Sequence, residues 1–327
     1  PEIASNRVAP LGRRFLFKSS FLCNRRCHLV QDFELDGDID ISQLVAIKRE
    51  FLILALVNGR IRLFDSLLMT RLHHLSFALQ QSLKKRCLLK IISGLNNFDS
   101  LSVEMVARAA GSGGADLLDV ACDPDLVRLA VDVSDLPVCV SAVDPQLFPK
   151  AVEAGASMIE IGNFDSFYPK GRFFSAREVL SLTVQTRQLL PNVPLSVTVP
   201  HFLALDQQAQ LALDLVTAGA DLIQTEGGTS AKPLSPGTLG MIEKAAPTLA
   251  SICSISDHLL KEGQTVPLLC ASGLSSVTVP MALASGASGV GVGSAVNQLD
   301  NELAMIAAVR RLRESISLTK DLSNKIS

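Results

Sequence analysis

Residues 111–145 read GSGGADLLDVACDPDLVRLAVDVSDLPVCVSAVDP. Two short apolar runs, 116–121 and 137–142, flank a helical pattern over 124–133. Runs apolar on both faces and linked by a helix imply parallel strands buried from both sides. Before the first run, Gly114-Ala115-Asp116 ends the preceding helix in a left-handed turn and lets small residues turn tightly back into a sheet. Asp123-Pro124 and Asp144-Pro145 each set a capping carboxylate before a proline suited to the first helical position.

The same unit recurs outward from this stretch. Strands are expected at 89–94, 116–121, 137–142, 158–162, 194–199, 221–225, 267–271 and 289–293. Helices are expected at 100–111, 124–133, 146–153, 175–189, 205–217, 235–262 (interrupted at Pro247), 276–284 and 300–316. Gly155-Ala156-Ser157, Gly219-Ala220-Asp221 and Gly286-Ala287-Ser288 repeat the Gly-Ala-small/acid turn at alternate units, and Ser235-Pro236 repeats the cap. Eight strands alternating with eight helices define the class as α/β, a single (β/α)8 barrel. A helix over 72–84 would close its bottom.

The chain has 327 residues, 48% of them hydrophobic, which suits one barrel of about 250 residues plus an extension. A net charge of −2 gives no case for nucleic acid, which calls for a basic face. The longest apolar run in the first third, 51–57, is far short of the roughly 20 residues that span a bilayer. Seven scattered cysteines exclude a disulfide framework and fit a reducing compartment. Residues 1–31 carry six basic residues against the single acid Glu2, a transit-peptide-like composition. Residues 32–75 form an extension that is either helical or poorly ordered, the barrel is expected over 76–320, and 321–327 form a tail.

Active sites of this fold lie where the strands end, on the βα loops. Ser272-Gly273 ends strand seven, and Gly289-x-Gly291-x-Gly293-Ser294 forms strand eight and its exit. Ser272, Gly273, Gly293 and Ser294 are therefore candidate phosphate ligands, with glycines that serve only tight barrel closure as the competing reading. Alternation turns Gln224 and Glu226 inward at strand six, and Glu160 inward at strand four. Glu226 and Glu160 are candidate acid and base groups, or else interior acids paired with Lys or Arg. His201, after strand five, is a candidate proton shuttle or an ordinary surface histidine. Asn96, Asn97, Asn163, Gly227 and Gly228 complete the substrate loops, while Asp99, Asp123 and Asp144 read as helix caps.

Phe164, Phe167, Tyr168, Phe173 and Phe174 concentrate five of the fifteen aromatics in one loop with Lys170 and Arg172. The loop reads equally as a lid over an anion or as a subunit interface in a homo-oligomer. Lys90 begins strand one and is expected near the barrel bottom, which argues against Schiff-base chemistry. No His, Asp or Glu cluster has metal-ligand spacing in the sequence, so no metal is assigned. Cys122, Cys139 and Cys270 read as small core residues.

Residues 90–99 (KIISGLNNFD), 160–165 (EIGNFD), 224–228 (QTEGG) and 270–275 (CASGLS) resemble the hypothetical chloroplast reading frame twenty-three family of cyanobacteria, algal plastids and plants. The resemblance runs from about Leu83 to Ile316. It implies a TIM-type barrel and a plastid location, with the basic start as a transit peptide and the stroma as destination; it carries over no activity and no catalytic residues. The expected function is the binding of a small phosphorylated metabolite, with acid/base chemistry of a lyase, isomerase or synthase type. The alternative is a non-catalytic barrel that senses a metabolite or serves as an assembly partner. No cofactor is specified: the phosphate site would accept flavin mononucleotide, but no residue marks a place for its ring.

Overall fold

The computed structural model of the chain describes residues 71–227 and 231–326. The transit-like segment 1–31 and nearly all of the 32–75 extension lie outside these residues, as does Gly228. The described chain starts with a 3-10 turn, Arg71–His74, and helix α1 (Phe77–Lys84). Strands β1 (Leu88–Ile92), β2 (Leu117–Ala121), β3 (Val138–Ala142), β4 (Met158–Ile161), β5 (Leu195–Thr198), β6 (Leu222–Gln224), β7 (Leu268–Ala271) and β8 (Gly289–Val292) follow. Between and after them run α2 (Ser100–Gly113), α3 (Pro124–Ser134), α4 (Phe148–Glu153), α5 (Ala176–Leu189), α6 (Leu205–Thr217), α7 (Gly237–Lys261), α8 (Val279–Ala284), α9 (Ser294–Asn297) and α10 (Glu302–Ile326).

All eight strands are parallel and close into a barrel in sequence order, sealed by the pairing of Leu88 with Gly289 and of Lys90 with Gly291. Gly289 is needed at this seam, because a Cβ there would lie 2.6 Å from the Leu88 Cβ and 2.7 Å from its carbonyl oxygen. Outward strand residues such as Leu89, Leu118, Val140, Ile159, Val197, Ile223, Cys270 and Val290 pack with the helices into the main core. A second, separate core plugs the bottom, where Leu72, Leu75, Leu79 and Leu83 meet the inward residues Leu88, Leu117, Cys139, Met158, Leu222 and Leu269. The expected bottom helix is present over Phe77–Lys84, preceded by the 3-10 turn, and its apolar stripe fills the barrel at that end.

The four-fold turn repeat has a structural purpose. Gly114, Gly155, Gly219 and Gly286 all have positive φ, and the third residue of each motif donates its N–H to the preceding strand: Asp116 to Leu89, Ser157 to Val138, Asp221 to Leu195, Ser288 to Leu268, at 2.7–2.9 Å. In three of the four the side chain accepts the strand's own N–H in return: Leu89 N–H to Asp116, Leu195 N–H to Asp221 and Leu268 N–H to Ser288. Each motif thus locks an odd-numbered strand to the even-numbered strand that follows.

Three expectations need correction. Helix α7 passes through Pro247 without a break, because proline removes only one ladder hydrogen bond and buried Ala245, Thr248, Ser251 and Ile252 hold the helix on both sides. Ser235 does not cap that helix; Pro236 occupies the cap position, and the Ser235 hydroxyl donates to Glu243 at 2.6 Å instead. Helix α10 continues to Ile326, through nearly all of the segment read as a tail. No helix among the described residues is long and apolar enough to cross a membrane.

Candidate functional site

Above the bottom plug the barrel interior turns polar. Lys90 is the third residue of β1, not its beginning, and its inward side chain is fully buried at mid-barrel. Its ammonium lies 2.7 Å from Asp119, 2.7 Å from Glu160 and 3.0 Å from the Gln224 carbonyl oxygen. Position along a strand misplaced it, because the layer it joins is set by stagger between strands. Ser141 donates to Asp119 at 2.7 Å, Ser196 to Glu160 at 2.8 Å and the Gln224 amide to Glu160 at 2.6 Å. Glu160 is thus an interior acid paired with lysine.

Burial alone would lower the Lys90 pKa, but Asp119 and Glu160 outweigh it and hold the ammonium's pKa above the usual range. On that balance the ammonium form is the favoured one. The Asp119 pKa is raised as well, which here favours the neutral form: burial and the nearby Glu160 lift its carboxyl to about 6 against the pull of Lys90. Asn163, in a left-handed conformation after β4, donates to the Ser141 hydroxyl at 2.9 Å and so connects this layer to the mouth.

The mouth holds a second cluster. Glu226, just beyond β6, is buried on the inward side that alternation assigns to it. One carboxylate oxygen accepts from the Tyr168 hydroxyl and, at 3.2 Å, from the His201 N–H; the other accepts from the Asp165 N–H at 3.2 Å. The His201 ring is buried here rather than on the surface, with Nδ1 3.2 Å from Glu226 Oε1 and 3.4 Å from Asp165 Oδ1. Ser272, at φ +74°, donates its hydroxyl to Asp165 Oδ2 at 2.6 Å, joining the loop after β7 to the same cluster. Burial raises the Glu226 pKa from its ordinary value; the bond from His201 works against this and the charge of Asp165 with it.

The aromatic loop over this cluster is built from two 3-10 turns, Phe164–Ser166 and Tyr168–Lys170. Phe164 and Phe174 pack together 4.4 Å apart and are buried, anchoring the loop. Tyr168 lies against His201 and Phe202, and Phe173 and Phe202 are half-exposed at the rim. Arg172 is turned outward, paired with Glu178 and over the Phe174 ring; Lys170 is exposed.

The remaining candidates divide. Asn97 is spent within its own loop on Ser93, Ser102 and the Asp99 N–H, and Asn96 is exposed. Gly227 packs against α7, where a Cβ would come 2.9 Å from Pro247. Of the strand-eight glycines, Gly289 and Gly291 are packing positions, the latter with Ala271 and Ile92 near 3 Å from a Cβ. Gly293 is clear by 3.5 Å and, with Ser294, opens α9 at the mouth. Asp99, Asp123 and Asp144 are the expected caps. Burial pushes the thiols of Cys270 and Cys122 up to about 11 and about 12, and Cys139 well up, which favours the neutral thiol in each.

The sequence reading missed Asp165, Tyr168 and Lys90 as members of these clusters. The concentration of aromatics in 164–174 marked the loop, but nothing in its spacing marked which residue reached inward.

These features define a (β/α)8 barrel with a charged centre and a carboxylate–histidine–tyrosine mouth. Residues 75–322 match the family model described as "Protein of unknown function (DUF561)", and the chain belongs to that family. The "Uncharacterized protein ycf23" of Cyanophora paradoxa is 44% identical over 236 residues, covering 72% of this chain and 95% of its own length. Its namesake in Porphyra purpurea is 35% identical over 253 residues, covering 77% and 94%. The expected reading-frame family is therefore the one found. Among solved structures, thiamine phosphate pyrophosphorylase from Pyrococcus furiosus aligns at a TM-score of 0.47 and 16% identity, over 72% of this chain and 98% of that one.

Proposed function

We propose that this barrel works in the plastid stroma, binds a small phosphorylated metabolite at its mouth and carries out acid/base chemistry on it. The observation that carries the reading is Glu226: an inward carboxyl at the end of a barrel strand, raised in pKa by burial and bonded to a histidine and a tyrosine. That environment favours the protonated form more than solvent does, which suits a group that must hold and release a proton. His201 relays the proton, and Glu160 acts only through the buried network beneath. The phosphate rests on Ser272-Gly273 and Gly293-Ser294, the loop positions this fold commonly uses for it, with Lys170 reaching in from the lid and Asn163 below. A binding-only barrel is the second reading, favoured by the fact that both Glu226 oxygens already have donors.

Thermal melting of the full chain with inorganic phosphate tests the phosphate half. Phosphate should raise Tm, and Gly293→Asp, for which there is room but the wrong charge, should abolish the rise. No shift in the unaltered protein would sink it. For the chemistry, a small molecule released on denaturation and identified by mass spectrometry supplies the substrate. Glu226→Gln should then abolish its turnover, whereas Ser294→Ala should mainly weaken affinity. Turnover that survives Glu226→Gln would remove Glu226 from the mechanism.

A further inference from the structure

Three lone-pair-bearing atoms converge at the mouth from three separate elements. Asp165 Oδ1 comes from the loop after β4, His201 Nδ1 from the loop after β5 and Glu226 Oε1 from the end of β6; all three lie within 4.8 Å of one another. His201 Nδ1 is 3.2 Å from the glutamate oxygen and 3.4 Å from the aspartate oxygen. Cis ligands at about 2.1 Å from a metal are separated by roughly 3.0 Å in an octahedron and 3.4 Å in a tetrahedron. The two edges that meet at His201 match these separations.

Hydrogen bonding within the cluster does not account for the arrangement. Asp165 Oδ1 is shielded from solvent and accepts no hydrogen bond. A proton on His201 Nδ1 can be given to one acceptor, and Glu226 Oε1 is the nearer. The aspartate oxygen is nonetheless held facing the imidazole, because Ser272 grips the other oxygen, Oδ2, at 2.6 Å and the Asp165 N–H is tied to Glu226. A ligating carboxylate fixed through its second oxygen is the usual way outer groups orient a metal ligand. A buried acceptor left unmatched is costly, and a cation between these three atoms would satisfy Asp165 Oδ1.

We propose that Asp165, His201 and Glu226 form a site for one divalent transition-metal ion, with its open positions toward the barrel mouth. One imidazole and two carboxylates suit Zn2+, Mn2+ or Co2+ better than an all-oxygen ion such as Ca2+. The inference goes beyond the phosphate reading and does not depend on it. An ion here makes Glu226 a ligand and moves the acid/base work to a water on the metal, whose acidity the ion raises.

Titration of the full, metal-stripped chain with Co2+ alone tests this by visible absorption. One equivalent should bind and give ligand-field bands without thiolate-to-cobalt charge transfer. Asp165→Asn and His201→Ala should each weaken binding at least about tenfold, and Ser272→Ala, which leaves every ligand in place, should weaken it measurably. Thermal melts of each variant establish that it is folded; if either ligand variant does not fold, Ser272→Ala decides. No binding, binding indifferent to these substitutions, or charge-transfer bands that mark a cysteine site would each overturn the proposal. Phosphate stabilisation of the stripped protein is read separately, so either idea can fail alone.

Discussion

At the scale of single residues, Lys90 sets the character of the barrel. It is a buried cation facing two buried carboxylates, all three closed off from bulk solvent. Removing one partner from such a group leaves an uncompensated buried charge, at a cost of about 3–5 kcal/mol. Lys90→Met should therefore destabilise the fold by that amount, read as a lower urea midpoint, although the side chain is of similar length; an unchanged midpoint would mean that the acids simply take up protons. Asp119 adds a pH dependence. Its folded pKa of about 6 lies above the ordinary 3.8, so the folded state holds this proton more tightly than the unfolded chain does. The stability it contributes is complete below 3.8 and is lost as pH rises through about 6. Asp119→Asn should flatten the stability–pH curve in that window, as measured by denaturant unfolding at a series of pH values.

At the scale of elements, what could be read in advance depended on periodicity. The strands lie within two residues of their expected bounds because their apolar runs are bounded by caps and left-handed turns, and alternation along β4 and β6 correctly turned Glu160 and Glu226 inward. The loop 164–174 has no period. Two 3-10 turns and the left-handed Asn163 aim Asp165 and Tyr168 at Glu226, and no spacing rule anticipates that. Lys90 was misjudged for a related reason, since its depth depends on how eight strands stagger rather than on β1 alone. Beside its Phe164–Phe174 anchor and the Ser272 bond to Asp165, the loop is fastened to the barrel through Glu226, with the Tyr168 hydroxyl as a latch. Tyr168→Phe should raise amide exchange across 164–174 by roughly tenfold, about the worth of one hydrogen bond to a carboxylate. Exchange confined to its present level would assign the closure to the Phe164–Phe174 anchor instead.

For the whole molecule, the two ends of the barrel divide stability from chemistry. Acids at the strand C-termini gather around His201. Acids at the N-terminal ends are invested in closure. Asp116 holds the Leu89 N–H and Arg313 from α10, whose guanidinium also binds the Gly114 and Cys87 carbonyls. Asp221, at the opposite side, holds the Leu195 N–H, Arg187 and Arg71. The Gly-Ala-Asp repeat legible in the sequence is therefore a bottom-face device, and it explains why two conspicuous acids lie far from the mouth. Because Asp221 is fully buried and Arg187 nearly so, Asp221→Asn should cost about 3–5 kcal/mol, read as a lower midpoint in urea with an unchanged slope. The same variant should bind Co2+ and phosphate as the unaltered protein does while it remains folded. A change in either affinity at constant fold would show that the two faces are coupled through the Lys90 layer between them, and the division of labour along the barrel axis would have to be given up.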